Sequence, residues 1–247
     1  MSPSSPTSSS PHSSRAGAAL FDMDGVLVDS NPFHFEAWTQ LSLRHQRQLS
    51  REELQYGLSG RKSEDILRYL FGEDLLPHQL EDLALEKEDL FRTLIRGQVQ
   101  PIPGLPALLE ELARLGWRSA VATSAPRANL ELTLDELGLG DFFGAEVTAE
   151  DVQIGKPHPQ VYQLAAQRLG MPAAACIVFE DAVAGIEAGR RAGMMTVGLA
   201  TTRPAAELEV AGADLVVADF THLTPALLSE HLGRRMERSG ASLRQGD

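Results

Sequence analysis

Two carboxylates, Asp22 and Asp24, stand two residues apart in the stretch FDMDGVLVDS. Acids this close repel each other unless a cation joins them, and a hard, oxygen-ligated ion such as Mg²⁺ suits them best. Gly25 behind them lets the backbone turn sharply. Three other fragments carry complementary groups: the hydroxyls of Thr123 and Ser124, the ammonium of Lys156 in Gly155-Lys156-Pro157, and the adjacent acids Glu180 and Asp181. Each has a bland account alone, as an acidic turn, a helix cap or a surface charge. Together, acids, hydroxyls and an ammonium form the inventory for binding a phosphoryl group with a metal ion.

Such groups must be carried to one place, and the apolar pattern shows how. Short apolar runs at Ala18–Phe21, Arg118–Ala122, Cys176–Phe179, Met195–Leu199 and Leu215–Val217 read as strands. Helical patterns follow two of them, from about Pro126 to Leu137 and from about Val183 to Ala192. Strands alternating with helices predict an α/β fold with a doubly wound parallel sheet, Rossmann-like in plan. Each chemical fragment except Lys156 directly follows a strand, and ligands in such sheets bind beyond the carboxyl ends of strands.

Residues 32–99 break the rhythm. Phe33–His45, Arg51–Tyr56, Lys62–Phe71 and His78–Arg96 all read as helices with no strand between, and Leu80, Leu83, Leu90 and Leu94 recur at helical spacing. This block is expected to be a small α-helical cap inserted into a core of residues 17–31 and 100–231, with Pro101, Pro103 and Gly104 marking the return hinge. Residues 1–16 are rich in Ser and Pro and are expected to form a disordered leader, and residues 232–247 a flexible tail.

Composition narrows the function classes. The 247 residues carry 22 basic and 34 acidic side chains, a net charge of −12, which argues against nucleic acid and anionic membrane surfaces as partners. No apolar run is long enough to span a bilayer, and a single cysteine, Cys176, excludes an internal disulfide. A cytoplasmic protein is expected, monomeric and acting on a small molecule. Cys176, Met194 and Met195 read as core, and Pro126 and Asn129 as helix-start residues.

The chain resembles the haloacid dehalogenase superfamily, in its sugar-phosphatase and β-phosphoglucomutase-like branch. FDMDGVLVDS, VATS, GKPHPQVY and FEDAVAGIEAGRRAGM match the four family motifs in order, and the resemblance covers about residues 18–231. It implies that Asp22 is a nucleophile taking the phosphoryl group and that Asp24 is the general acid and base. It implies that Asp22, Asp181 and the backbone carbonyl of Asp24 hold Mg²⁺, with Glu180 beside them. Thr123 and Lys156 would then hold the phosphoryl oxygens, with Ser124 and the backbone about Gly25 completing the cradle. In the cap, the resemblance gives His34, in H-x-x-x-W with Trp38, a contact with the acid/base Asp. It places Arg61 and Lys62 in a loop that reads the far end of the substrate, against an alternative as solvated helix-start charges. Ser63 stands where mutases of this branch carry Arg.

Hydrolysis of a small phosphorylated metabolite, most simply a sugar phosphate, is the expected reaction. Interconversion of β-glucose 1-phosphate and glucose 6-phosphate is the alternative within the family. A phospho-accepting switch without turnover is the alternative outside it, opposed by Asp24, the cap and the Glu180-Asp181 pair.

Overall fold

Six short runs of small, β-branched and aliphatic residues pair into one parallel sheet in the computed structural model, which describes residues 16–50, 53 and 63–243. The strands are β1 (Ala18–Phe21), β2 (Arg118–Ala122), β3 (Ala145–Val147), β4 (Cys176–Glu180), β5 (Met195–Leu199) and β6 (Leu215–Val217), in the order β3-β2-β1-β4-β5-β6. Five of them are the expected runs, β4 extending one residue further. The edge strand β3 was not anticipated. It has three residues, one of them Glu146, and two are half-buried, so no apolar run announces it.

Side chains alternate between the two faces, as strand geometry demands. Ala18, Leu20, Ala120, Ala122, Cys176 and Val178 pack under α6 (Gln160–Leu169) and α7 (Val183–Arg191). Ala19, Phe21, Val121, Ile177, Phe179 and Val197 face the other way, with α4 (Leu105–Arg114), α5 (Arg127–Leu137) and α9 (Pro225–Leu243). Phe21 and Phe179 stack with centroids 4.6 Å apart, and burying each such side chain stabilises the fold by about 1.5–3 kcal/mol. α8 (Ala205–Val210) completes the α/β unit. α9 runs past residue 232, where the sequence predicts a flexible tail over 232–247; Leu232 is buried and Arg235 pairs with Asp214 at 2.6 Å.

Between β1 and α4 lie three helices and no strand among the described residues: α1 (Asn31–Arg44), α2 (Ser63–Phe71) and α3 (Pro77–Ile95). Trp38, Leu41, Leu67, Leu90 and Phe91 pack among them. The two crossings between core and helical insert run side by side, with Val28 bridged to Pro101 and the Ile102 amide donating to the Leu27 carbonyl at 3.0 Å. The expected leader apart from Ala16, most of the expected helix Arg51–Tyr56, and both Arg61 and Lys62 lie outside the described residues. Among the described residues no helix is long and apolar enough to cross a membrane.

Candidate active site

Strand register assembles the site. Phe21 pairs with Val121 on one side and Phe179 on the other, so the next residue, Asp22, stands level with Ala122 and Glu180. Its amide continues the ladder, donating to the Phe179 carbonyl at 3.0 Å. Asp22, Glu180 and Asp181 thereby each offer a carboxylate oxygen within 4.8 Å of the others, all three buried. Lys156 enters from the loop before α6, its Nζ 2.8 Å from Asp22 Oδ1 and 2.5 Å from Glu180 Oε1.

Glu180 is the most firmly held of the three. Its Oε1 also accepts from the Tyr162 hydroxyl at 2.6 Å, and its Oε2 accepts the amides of Asp181 and Ala182 at 3.1 and 3.2 Å. Gly185, on the first turn of α7, makes room for it: a Cβ there would fall 1.8 Å from the Glu180 carboxyl. Asp181 accepts instead from the Thr202 hydroxyl.

Burial of so much like charge has electrostatic consequences. Burial pushes Asp22 up to about 7, with Lys156 opposing and Glu180 and Asp24 reinforcing the rise. Asp181 is raised well above the usual carboxylate range, by burial and then by Glu180 and Asp22. Burial works against the Lys156 charge, but Asp22 and Glu180 outweigh it and hold the ammonium firmly protonated. Asp22 Oδ1, despite its ion pair, accepts no aligned hydrogen bond. Three clustered, hard oxygen donors with an unsatisfied buried oxygen fit a divalent cation such as Mg²⁺.

Asp24 lies in different surroundings, its carboxylate outside that cluster. Its Oδ1 accepts from Ser30 at 2.5 Å and lies 3.3 Å from His34 Nε2. The other ring nitrogen, Nδ1, is 2.8 Å from Lys87 Nζ. A lysine ammonium only donates, so Nδ1 accepts and Nε2 carries the proton given to Asp24. The His34 ring stacks on Phe91 with centroids 4.0 Å apart, and Lys87 lies over Trp38 and Phe91. Burial alone would raise Asp24, but His34, Ser30 and Lys87 outweigh it and hold the carboxyl below its ordinary value.

A cleft of about 890 Å³ between core and helical insert is lined by Asp22, Asp24, His34, Thr123, Ser124 and Asp181, among others. Thr123 continues β2, its amide donating to Val147 at 2.9 Å and its hydroxyl accepting from Ala125 at 3.0 Å. Ser124 is exposed to the cleft. Gly25 has φ +75°, and a Cβ there would meet Asp181 Oδ2 at 2.3 Å, so both turn and close approach require glycine. Ser63, at the start of α2, also lines the cleft. The structure thus gathers Asp22, Asp24, Gly25, His34, Thr123, Ser124, Lys156, Glu180 and Asp181 about one opening.

Sequence reading missed Ser30, Lys87, Tyr162 and Thr202. Ser30 closes the quoted FDMDGVLVDS stretch and could have been weighed with it. Lys87 is hidden because α3 reads only for its leucine spacing, whereas Tyr162, like Ser30, closes a quoted stretch, GKPHPQVY, and could have been weighed with it. Asn129, read as a helix-start residue, is fully buried and bonded to the insert.

A family model described as haloacid dehalogenase-like hydrolase matches residues 17–193. The chain is 35% identical over 183 residues to a fructose-1-phosphate phosphatase of Escherichia coli, covering 73% of this chain and 94% of that protein. It is 31% identical over 219 residues to a β-phosphoglucomutase of Bacillus subtilis, covering 86% and 94%. Among solved structures, a haloacid dehalogenase-type hydrolase of Entamoeba histolytica superposes with a TM-score of 0.82 at 27% identity, covering 88% of this chain and 99% of that one.

Proposed function

The chain belongs to the haloacid dehalogenase-like hydrolases, and from that premise we propose that it is a Mg²⁺-dependent phosphatase of a small sugar phosphate. One observation carries the reading. Two carboxylates two residues apart face the same cleft from different surroundings, Asp22 among Lys156, Glu180 and Asp181, Asp24 between Ser30 and His34. That is the division of labour that nucleophile and proton carrier require.

In the first step an Asp22 oxygen attacks phosphorus and the bond from phosphorus to the sugar oxygen breaks. The departing oxygen takes its proton from Asp24, which His34, Ser30 and Lys87 hold ionised before substrate binds and which must therefore take up a proton as the complex forms. In the second step a water loses a proton to Asp24 and attacks the same phosphorus, and the bond to Asp22 breaks to release phosphate. Lys156 and Thr123 hold the phosphoryl oxygens throughout. Asp22, Asp181 and Glu180 would hold Mg²⁺, which supplies positive charge against the charge building on those oxygens. The helices over the cleft limit access of bulk water while Asp22 carries the phosphoryl group.

Phosphomutase chemistry is the second reading. It is favoured by the Bacillus subtilis relative and by the His34–Asp24 contact, and it shares every core residue. A panel of sugar phosphates decides, read both as phosphate release and as coupled formation of glucose 6-phosphate from β-glucose 1-phosphate. Steady phosphate release with Mg²⁺, abolished in Asp22→Asn, is the expected result. Glucose 6-phosphate formed without release would select the mutase, and one stoichiometric burst without turnover would replace both with a switch.

A further inference from the structure

Asn129 is fully buried where α5 meets α3, and both ends of its amide are engaged. Nδ2 donates to Glu88 Oε2 at 2.7 Å and Oδ1 accepts from Arg92 at 2.8 Å, so one core side chain grips two positions a turn apart on the cap helix. The other Glu88 oxygen accepts from Lys87 at 2.9 Å. Lys87 reaches His34 at 2.8 Å, and His34 reaches Asp24 at 3.3 Å. An unbroken series of polar contacts therefore joins α5 to the proton carrier.

Each link depends on the one before. Lys87 is only 3% exposed, and a buried ammonium needs a fixed counter-charge, which Glu88 supplies. Glu88 keeps some access to solvent and would be free to swing outward without the Asn129 amide. Lys87 in turn decides which nitrogen of His34 bears the proton directed at Asp24. We propose that Asn129 and Glu88 are positioning residues for leaving-group protonation, acting on Asp24 through Lys87 and His34. α5 begins just after Thr123 and Ser124, so one helix ties the phosphate-holding end of the cleft to the placement of the acid. The inference rests on the reading of Asp24 as acid and base given under Proposed function.

A series of substituted phenyl phosphates, from 4-nitrophenyl to unsubstituted phenyl, tests it on the full chain with Mg²⁺. The nitrophenolate departs with little need of a proton, whereas phenolate needs one. General acid catalysis is worth about 10²–10⁴-fold, and losing its alignment should remove part of that. Asn129→Ala is expected to lower kcat/KM, which covers the steps up to leaving-group departure and not hydrolysis of the shared aspartyl-phosphate, by about 10–100-fold on phenyl phosphate and several times less on the nitrophenyl ester. Glu88→Gln keeps the shape of the link but removes the counter-charge to Lys87, and should steepen the leaving-group dependence alike. In a His34→Ala background, Asn129→Ala should add nothing to that slope. Losses equal across the series in both single variants would overturn the inference and leave a plain cap–core latch. Failure of the wild type to hydrolyse any of these esters or any sugar phosphate of the panel would instead sink the phosphatase reading.

Discussion

Gly185→Ala sets two well-measured effects against each other. In a helix interior, Ala is favoured over Gly by about 0.5–1 kcal/mol, so the change would stabilise an ordinary helix. At position 185 the new Cβ lands 1.8 Å from Cδ and Oε1 of Glu180. A glutamate is long, and one at a surface would swing aside at little cost. Glu180 is fully buried and is held by Lys156, the Tyr162 hydroxyl and two backbone amides. Displacing one partner of a buried ion pair costs about 3–5 kcal/mol, so the net change is a loss of about 2–4 kcal/mol. At about 2–4 °C per kcal/mol for a domain of this size, Tm should fall by about 5–15 °C. Thermal denaturation followed by circular dichroism reads the shift. Gly233→Ala, in α9 where a Cβ would meet nothing within 4 Å, is the control and should be neutral or stabilising. A Gly185→Ala protein as stable as wild type, or more so, would refute the account of Glu180 as a pinned carboxylate.

Metal binding should be visible without turnover: Mg²⁺ should raise Tm in the wild type, and Asp181→Asn should lose most of that rise, since a ligand stabilises only through the state that binds it. An equal rise in the variant would remove Asp181 from the ion site. The same rise should grow with pH. In the metal-free chain, Asp22 is raised from 3.8 to about 7, so across that window the folded state holds a proton that the unfolded state has released, and stability falls as pH rises through it. Proton and cation compete for the carboxylate, so a Mg²⁺-induced shift independent of pH between about 5 and 8 would contradict the assignment. Burial pushes the Cys176 thiol up to about 11. At pH 8 its alkylation by iodoacetamide should therefore be at least about a hundredfold slower in the native than in the denatured chain, and equal rates would show the strand to be open.

What was legible in the sequence was what lies contiguous along it. The expected bounds of β1, β2, β5 and β6 coincide with the strands because each is an apolar run ended by a polar or glycine-containing turn. β3 escaped because three residues, two of them half-buried, carry no periodicity. The catalytic inventory could be read as four fragments, since each directly follows a strand or precedes a helix. The pairings between fragments could not. Lys156 meets Glu180 24 residues later in the chain, and Tyr162 meets the same carboxylate from a helix whose apolar face looks like any other. Lys87 stands in the charged run Glu86-Lys87-Glu88-Asp89, which reads as a solvated face. Its burial comes from Trp38 and Phe91, placed around it by the packing of α1 on α3. Composition cannot report that one lysine of such a run has turned inward.

The charge of the chain gains meaning only at this scale. A net −12 opposes a phosphate dianion, yet at physiological salt exposed charges are screened beyond about 8 Å, so the substrate meets chiefly what lies about the cleft. Within the acid cluster alone, Asp22, Glu180 and Asp181 when ionised contribute −3 and Lys156 contributes +1, a sum of −2 that repels the substrate. A divalent cation brings that sum to zero and leaves the backbone amides and the Lys156 ammonium to attract the dianion. Simple charge counting predicts that removing one of these acids improves phosphate binding. The reading of the acids as ligands predicts the reverse, because Asp181→Asn removes one negative charge and loosens two positive ones. Inorganic phosphate titrated against wild type and Asp181→Asn at fixed Mg²⁺ separates the two. Weaker binding by the variant shows that the acidity serves the anion through the ion it holds, and tighter binding would reduce the cluster to a burden on the site.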